Sequence, residues 1–326
     1  MGVLSRTGDI QMRRTLALAL FFFLAAFIAR AAATPHGAWH LSQREDGRMQ
    51  IEMISDHNQN SHPIERSAFT GLTAAQIDAS ADTPVDFRMI KDAGTLHFTG
   101  MFQHGDGVGR FTFEPNPAYA ATLRSLGVAA SDLDDDRLFS LAIHDVSSSF
   151  IKEMQSLGYR EDLDQYVAFR IHGATPQYVR EINALGYRPD GGDLVAFRIH
   201  GATTSYIRDI RALGYQPDAG DLVAFRIHGV SAEFIKGMKE LGVRDLNSDN
   251  LVALRIHGAS VDYVRDLRDL GYPNLSADDL VSMRIHGVSP SYIRDLKNAG
   301  FANIPVEKLV EMKIHGIDAE FVKRTK

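Results

Sequence analysis

Seven histidines recur at His144, His172, His200, His228, His257, His286 and His315, spaced 28, 28, 28, 29, 29 and 29 residues apart. Six of them stand in the tripeptide Ile-His-Gly and the first in Ile143-His144-Asp145. Imidazole binds metals and titrates near neutral pH, so such a row invites three roles: a metal or haem centre, a proton-sensitive interface, or a structural position at a chain turn. A zinc ligand sits about 2.0–2.1 Å from its ion, whereas packed helices lie about 8–10 Å apart. One histidine per unit therefore builds no chelate by spacing alone. The residues favour a structural reading, in which each imidazole ends a helix one residue before its glycine and bonds terminal carbonyls or the adjacent unit.

Two residues ahead of the histidines stand Arg170, Arg198, Arg226, Arg255 and Arg284, with Lys313 in the last copy. A cation in the last helical turn is favourable by a few tenths to about 1 kcal/mol, and ion pairs between repeats would fix stacking register. A second set, Arg180, Arg208, Arg265 and Arg294, is followed in each case by an acid. With His172, His200, His228, His257 and His286, the first arginine set forms a candidate ladder for an extended partner. No catalytic, cofactor-binding or metal-binding residue is assigned. Ser149-Phe150-Ile151-Lys152 fits the Ser-x-x-Lys pattern of penicillin-recognising enzymes, but it aligns with Gln177-Tyr178-Val179-Arg180 of the next unit and no Lys-Thr-Gly follows. His-Glu-x-x-His is absent. His144-Asp145 beside Ser147 or Ser148 is the position a hydrolase reading would use.

A strict period of this length marks stacked supersecondary units. Each unit reads as two short helices. Ser276 suits an N-cap, Asp278 and Asp279 suit the first turn, and Gly287 stops the helix. The second helix begins at a Ser or Thr such as Thr175, Ser231 or Ser289 and ends at Gly186, Gly214, Gly242, Gly271 or Gly300. Tyr178, Ile182 and Leu185 fall on one apolar stripe within it. Leu222–Ile227 also alternates like a strand, which leaves a β/α horseshoe as the alternative, but the caps and acidic first turn have no use in a strand. Asn116–Gly127 matches the second half of a unit, so the array begins in mid-unit with seven first and eight second helices. The last, Asp318–Lys326, is short and shows no polar cap, so the expectation is either self-association or another chain's contact at this end, or that the truncated helix suffices.

Ahead of the array, residues 34–114 read as a small antiparallel β domain of five or six strands, with a hairpin at Trp39–Ser42 and Met49–Ile54 and a loop or short helix near Leu72–Ala79. Phe87–Lys91, Thr95–Phe102 and Arg110–Phe113 continue the meander. The glycine-rich Gly105–Gly109 lies between two strands with no helix after it, so it reads as a hairpin turn and not a phosphate loop. The fold class is thus α+β, an N-terminal antiparallel β domain followed by an αα-hairpin repeat solenoid over residues 115–326. Residues 1–33 read as a signal peptide: Arg13 and Arg14, an apolar run from Leu16 to Ile28, then small residues around Arg30. That run is short of the roughly 20 residues a spanning helix needs, so no stable membrane span is expected after cleavage.

The chain has 326 residues, a formal net charge of -6 and no cysteine. Disulfides, thiolate metal sites and cysteine nucleophiles are excluded, and a basic footprint for nucleic acid is lacking. The run Asp92-Ala93-Gly94-Thr95, then Gly109-Arg110-Phe111-Thr112-Phe113, then His-Gly-Val/Ala-Ser/Thr units resembles exported bacterial repeat proteins of unassigned function. These units are similar to the extracytoplasmic repeat extension of some membrane metallopeptidases of the beta-lactam sensor-transducer family. The peptidase segment is missing, so the resemblance implies at most a sensing or binding module and carries over no catalytic residue. The expectation is a periplasmic or secreted, non-enzymatic scaffold binding a protein or envelope component, with no cofactor. A metal- or haem-binding protein and a hydrolase at the junction of β domain and first repeat are the alternatives.

Overall fold

The computed structural model describes residues 35–55, 59–129 and 133–324. The signal-peptide expectation for residues 1–33 lies outside them. The chain divides into two compact units, Met1–Ile171 and His172–Lys326.

The first unit opens with a six-stranded antiparallel sheet in the order β3-β2-β1-β6-β5-β4. Its strands are β1 (His36–Gln43), β2 (Met49–Ser55), β3 (Gln59–Ile64), β4 (Thr83–Lys91), β5 (Gly94–Gln103) and β6 (Asp106–Pro115). Alternation buries one face. Trp39, Phe87, Phe98, Phe102 and Phe111 are each no more than 1% exposed, and the Trp39 ring meets Phe87 edge-on at 5.3 Å.

The Trp39 indole N–H donates to the backbone oxygens of Thr99 at 3.2 Å and Arg110 at 3.0 Å. This approach requires the facing pair Gly100 and Gly109, because a Cβ on Gly109 would stand 2.0 Å from the Thr99 oxygen and 2.8 Å from the indole nitrogen. The glycine-rich run is therefore only partly a turn. His104-Gly105 makes the turn, and Gly107 and Gly109 lie inside β6 where the aromatic rings lie over them. β3 was not legible in the sequence, since Gln-Asn-Ser-His-Pro-Ile is polar and at best half-buried. A short helix at Ala74–Ile77 falls where expected, held by a capping box between Thr73 and Gln76.

After the sheet every repeat half is helical, so the β/α horseshoe is ruled out. The leading helices are Asp135–Ile143, Leu163–His172, Gly191–His200, Ala219–His228, Ser248–Ile256, Ala277–Ile285 and Val306–Ile314. The trailing helices are Pro117–Ser125, Ser148–Ser156, Pro176–Ala184, Thr204–Ala212, Ala232–Glu240, Val261–Asp269, Pro290–Asn298 and Ala319–Arg324. Side-chain N-caps explain the starts. Asp190, Asp218, Asn247 and Ser276 each accept from a backbone N–H of the first turn of a leading helix, and Thr175, Thr203, Ser231, Ser260 and Ser289 do so for trailing helices. Glycines at φ near +71, among them Gly173, Gly201, Gly229, Gly258 and Gly287, end the leading helices.

The step from a 28- to a 29-residue period has a local cause. The longer units carry one extra loop residue in the left-handed region, Asp245 (φ 60), Asn274 (φ 58) or Asn303 (φ 58). Asp and Asn are the non-glycine residues that tolerate it.

Candidate functional site

Within the second unit one contact set recurs at each step along the array. The arginine of a leading helix reaches back to the histidine that ends the preceding leading helix and donates Nε–H to its backbone oxygen: Arg198 to His172 at 3.2 Å, Arg226 to His200 at 3.0 Å, Arg255 to His228 at 3.3 Å and Arg284 to His257 at 3.2 Å. The same guanidinium lies over the aromatic ring of the intervening trailing helix. Arg198 is 4.8 Å from the Tyr178 ring, Arg226 4.8 Å from Tyr206, Arg255 5.0 Å from Phe234 and Arg284 5.0 Å from Tyr263. In the last repeat Lys313 takes this place over Tyr292 at 4.3 Å.

The tyrosines reach forward. Tyr178, Tyr206 and Tyr263 donate O–H to the backbone oxygens of Ala202, Val230 and Val288 at 2.8, 2.6 and 2.8 Å. The arginines therefore fix stacking register, as expected, but through carbonyls and rings and not through ion pairs. Helix C-termini leave carbonyls unsatisfied, and these are the acceptors nearest the cation. The cation also requires the glycine, since a Cβ on Gly229 would come within 2.9 Å of Arg255 Nη2.

Burial pushes the hydroxyls of Tyr206 and Tyr263 up to about 12, against about 10 for an ordinary tyrosine. A raised folded-state value means that stability is full below the unfolded value and is lost as pH rises through the folded one. The contribution of these two hydroxyls to unfolding free energy should therefore be constant below about pH 10 and fall between pH 10 and 12. Tyr206→Phe combined with Tyr263→Phe should make that fall shallower in denaturant titrations at stepped pH. An unchanged slope would show that these hydroxyls are not what the alkaline transition reports.

The first unit departs from the pattern at His144-Asp145. Asp145 takes the glycine position at φ 54, and its carboxylate joins Lys91 of β4 at 2.8 Å and Arg170 of the next leading helix at 2.5 Å. Arg170 also donates to the His144 oxygen at 3.1 Å and lies 5.1 Å from the Phe150 ring. Ser147 caps Phe150, and Asp92 in the β4–β5 turn accepts from Ser148 N and Oγ at 2.8 and 2.7 Å. These groups tie the sheet to the first repeat. Burial, followed by the nearby His62 and Arg170, lowers the His144 imidazole. The Ser147 hydroxyl thus caps its helix and the Ser148 hydroxyl donates to the Asp92 carboxylate, and among the described residues neither bonds the His144 imidazole.

What stands bare is a different set of residues. Ile199, Ile227, Ile256, Ile285 and Ile314 are 54 to 58% exposed, as is Ile171 of the first unit. Each precedes one of the repeated histidines. Among the described residues the imidazoles of His172, His200, His228, His257 and His286 make no hydrogen bond or ion pair, and they sit one per helix end. No group of three or more His, Cys, Asp or Glu residues is placed to hold a metal ion among the described residues. A half-buried Val-Ala pair, Val195-Ala196, Val223-Ala224 and Val252-Ala253, lies one turn before three of the isoleucines. Leading helices are thus apolar on two faces, with Leu222 and Phe225, for example, filling the core. The sequence carried this signal, since Val-Ala-x-x-Ile repeats in register, but the exposed face was not separable from the core by spacing alone.

No helix of the described residues is long and apolar enough to cross a membrane. No family model, curated protein or solved structure matches the chain.

Proposed function

We propose that this chain is an exported, non-enzymatic repeat scaffold that binds a protein or cell-envelope partner along the bare face of its leading helices. The observation that supports it is invariance without burial. Core positions repeat because packing constrains them, whereas solvent positions are free to drift. The exposed trailing-helix position occupied by Gln177, Ser205, Glu233, Asp262 and Ser291 does drift. The Ile-His pair is the same in all seven units and its isoleucine is more than half exposed in six of them, so something outside the fold accounts for it. The likeness of these units to the extracytoplasmic repeats of beta-lactam-sensor-type metallopeptidases agrees with a sensing or binding module in the periplasm or outside the cell. The arginines belong to the stacking of repeats, and the binding ladder consists of isoleucine and histidine.

Ile199→Ser, Ile227→Ser and Ile256→Ser together test this. Re-exposing half an isoleucine is worth about 1 kcal/mol, so three should weaken capture of a native envelope partner about 100-fold, with the helical circular dichroism and melting temperature unchanged. Capture that survives the triple substitution would end the proposal.

A further inference from the structure

The first leading helix shows what this face does when covered. Its residues align with those of later units, so that Phe139 and Ile143 stand where Val195 and Ile199 stand in the third. Both are buried, at 1% and 8% exposure. Over Phe139 the cover is the sheet: its ring stacks on Phe111 at 5.6 Å and meets Phe113 at 5.5 Å, two same-face residues of β6. On the next leading helix the equivalent Ile171 is 54% exposed. The stripe that stays bare on later leading helices is thus, on the first leading helix, met by a strand carrying bulky apolar side chains.

Spacing narrows the occupant. Neighbouring helices lie about 8–10 Å apart. Same-face residues of a strand recur every ~6.7 Å, and β6 accordingly sets two of them on a single helix. A polyproline-type chain has three residues per turn at about 3.1 Å each, so every third side chain returns to one face after about 9.3 Å, one per helix. Such a chain leaves its own carbonyls unpaired, and the bare imidazoles beside the isoleucines are donors of matching frequency. On the same helix stripe, seven residues before the last three isoleucines, stand Asp249, Asp278 and Glu307, so the occupant gains from basic side chains along that edge. Among the described residues the other exposed large apolar side chains, Ile90, Met101 and Phe321, stand singly and supply no matching stripe.

We infer that, if the ladder is the binding face proposed above, its occupant is a polyproline-like extended segment of another protein, with an apolar anchor at every third residue and basic residues between. Titrate the full mature chain with three labelled peptides of about 12 residues and one composition, built from leucine, proline and lysine. One has leucine at every third position, one at alternate positions, and one is ordered for an i, i+7 helical face. The first should bind about tenfold more tightly than either other, should lose that advantage in the triple Ile→Ser protein, and should lose part of it in His200→Ala with His228→Ala. Tighter binding of the alternating or helical peptide overturns the extended three-residue register while leaving the binding face intact. Binding by none of the three overturns the inference, and the capture experiment then decides the face separately. Sedimentation showing self-association abolished by the Ile→Ser changes would assign the face to a second copy and overturn it as well.

Discussion

Replacing Arg226 by alanine should cost the second unit about 2 kcal/mol, because one side chain makes two separate contacts across a repeat boundary. A hydrogen bond from a charged donor is worth about 1.5–3 kcal/mol, and a cation over an exposed ring about 0.5–1 kcal/mol. Water reaches the exposed Arg226 and reduces the sum. Arg226→Lys should lose about half as much, since Lys313 over Tyr292 shows that an ammonium occupies the ring site, while the fork that reaches the His200 oxygen is lost. Because stability in a repeat array is nearly a sum of unit and interface terms, the loss should appear first as faster amide exchange where the two repeats meet, around Gly201–Tyr206, and then as a lower urea midpoint. Identical exchange in Arg226→Ala and the parent would remove the clamp from the account. Partner capture by Arg226→Lys should match the parent, which separates the stacking arginines from the binding isoleucines.

Asp145→Ala should destabilise the first unit by about 2–3 kcal/mol. The carboxylate bridges Lys91 and Arg170, whose side chains are 22% and 28% exposed, while its own is 42% exposed. At that exposure each pair contributes about 0.5–1 kcal/mol. Alanine at φ 54 adds about 1 kcal/mol of left-handed strain that aspartate tolerates better. Asp145→Gly recreates the His-Gly of later units and removes the strain, so it should cost only about 1–2 kcal/mol. The order alanine, then glycine, then parent in thermal unfolding is the expected result. A glycine variant as stable as the parent would mean that the bridge between sheet and first repeat contributes nothing, and that the departure from His-Gly has no stabilising role.

By itself the sequence determined the α+β class, the count of leading and trailing helices and those helix termini that a capping Ser or Thr, a proline or a glycine marks. Those features depend on contacts within about four residues: a capping oxygen, a proline at the first turn, a glycine that accepts positive φ. The capping residues Thr175, Ser231 and Ser276 and the stopping glycine Gly287 were readable for that reason. Tertiary structure decided the rest, because the deciding partner is distant in sequence. Arg226 and the His200 oxygen are 26 residues apart, and Trp39 and the Arg110 oxygen 71, so neither the clamp nor the reason for Gly109 has a local signature. β3 is held by its register with β2, with Ser61 accepting from Gln50 across the pair at 2.8 Å, and neither has a local signature. The same holds for the candidate surface. Spacing drew attention to Arg and His because they carry charge, yet whether the adjoining isoleucine is core or surface depends on what covers its helix. Ile143 is buried at 8% exposure on a helix whose Phe139 stacks on the sheet, and Ile199, Ile227 and Ile256 stay more than half exposed.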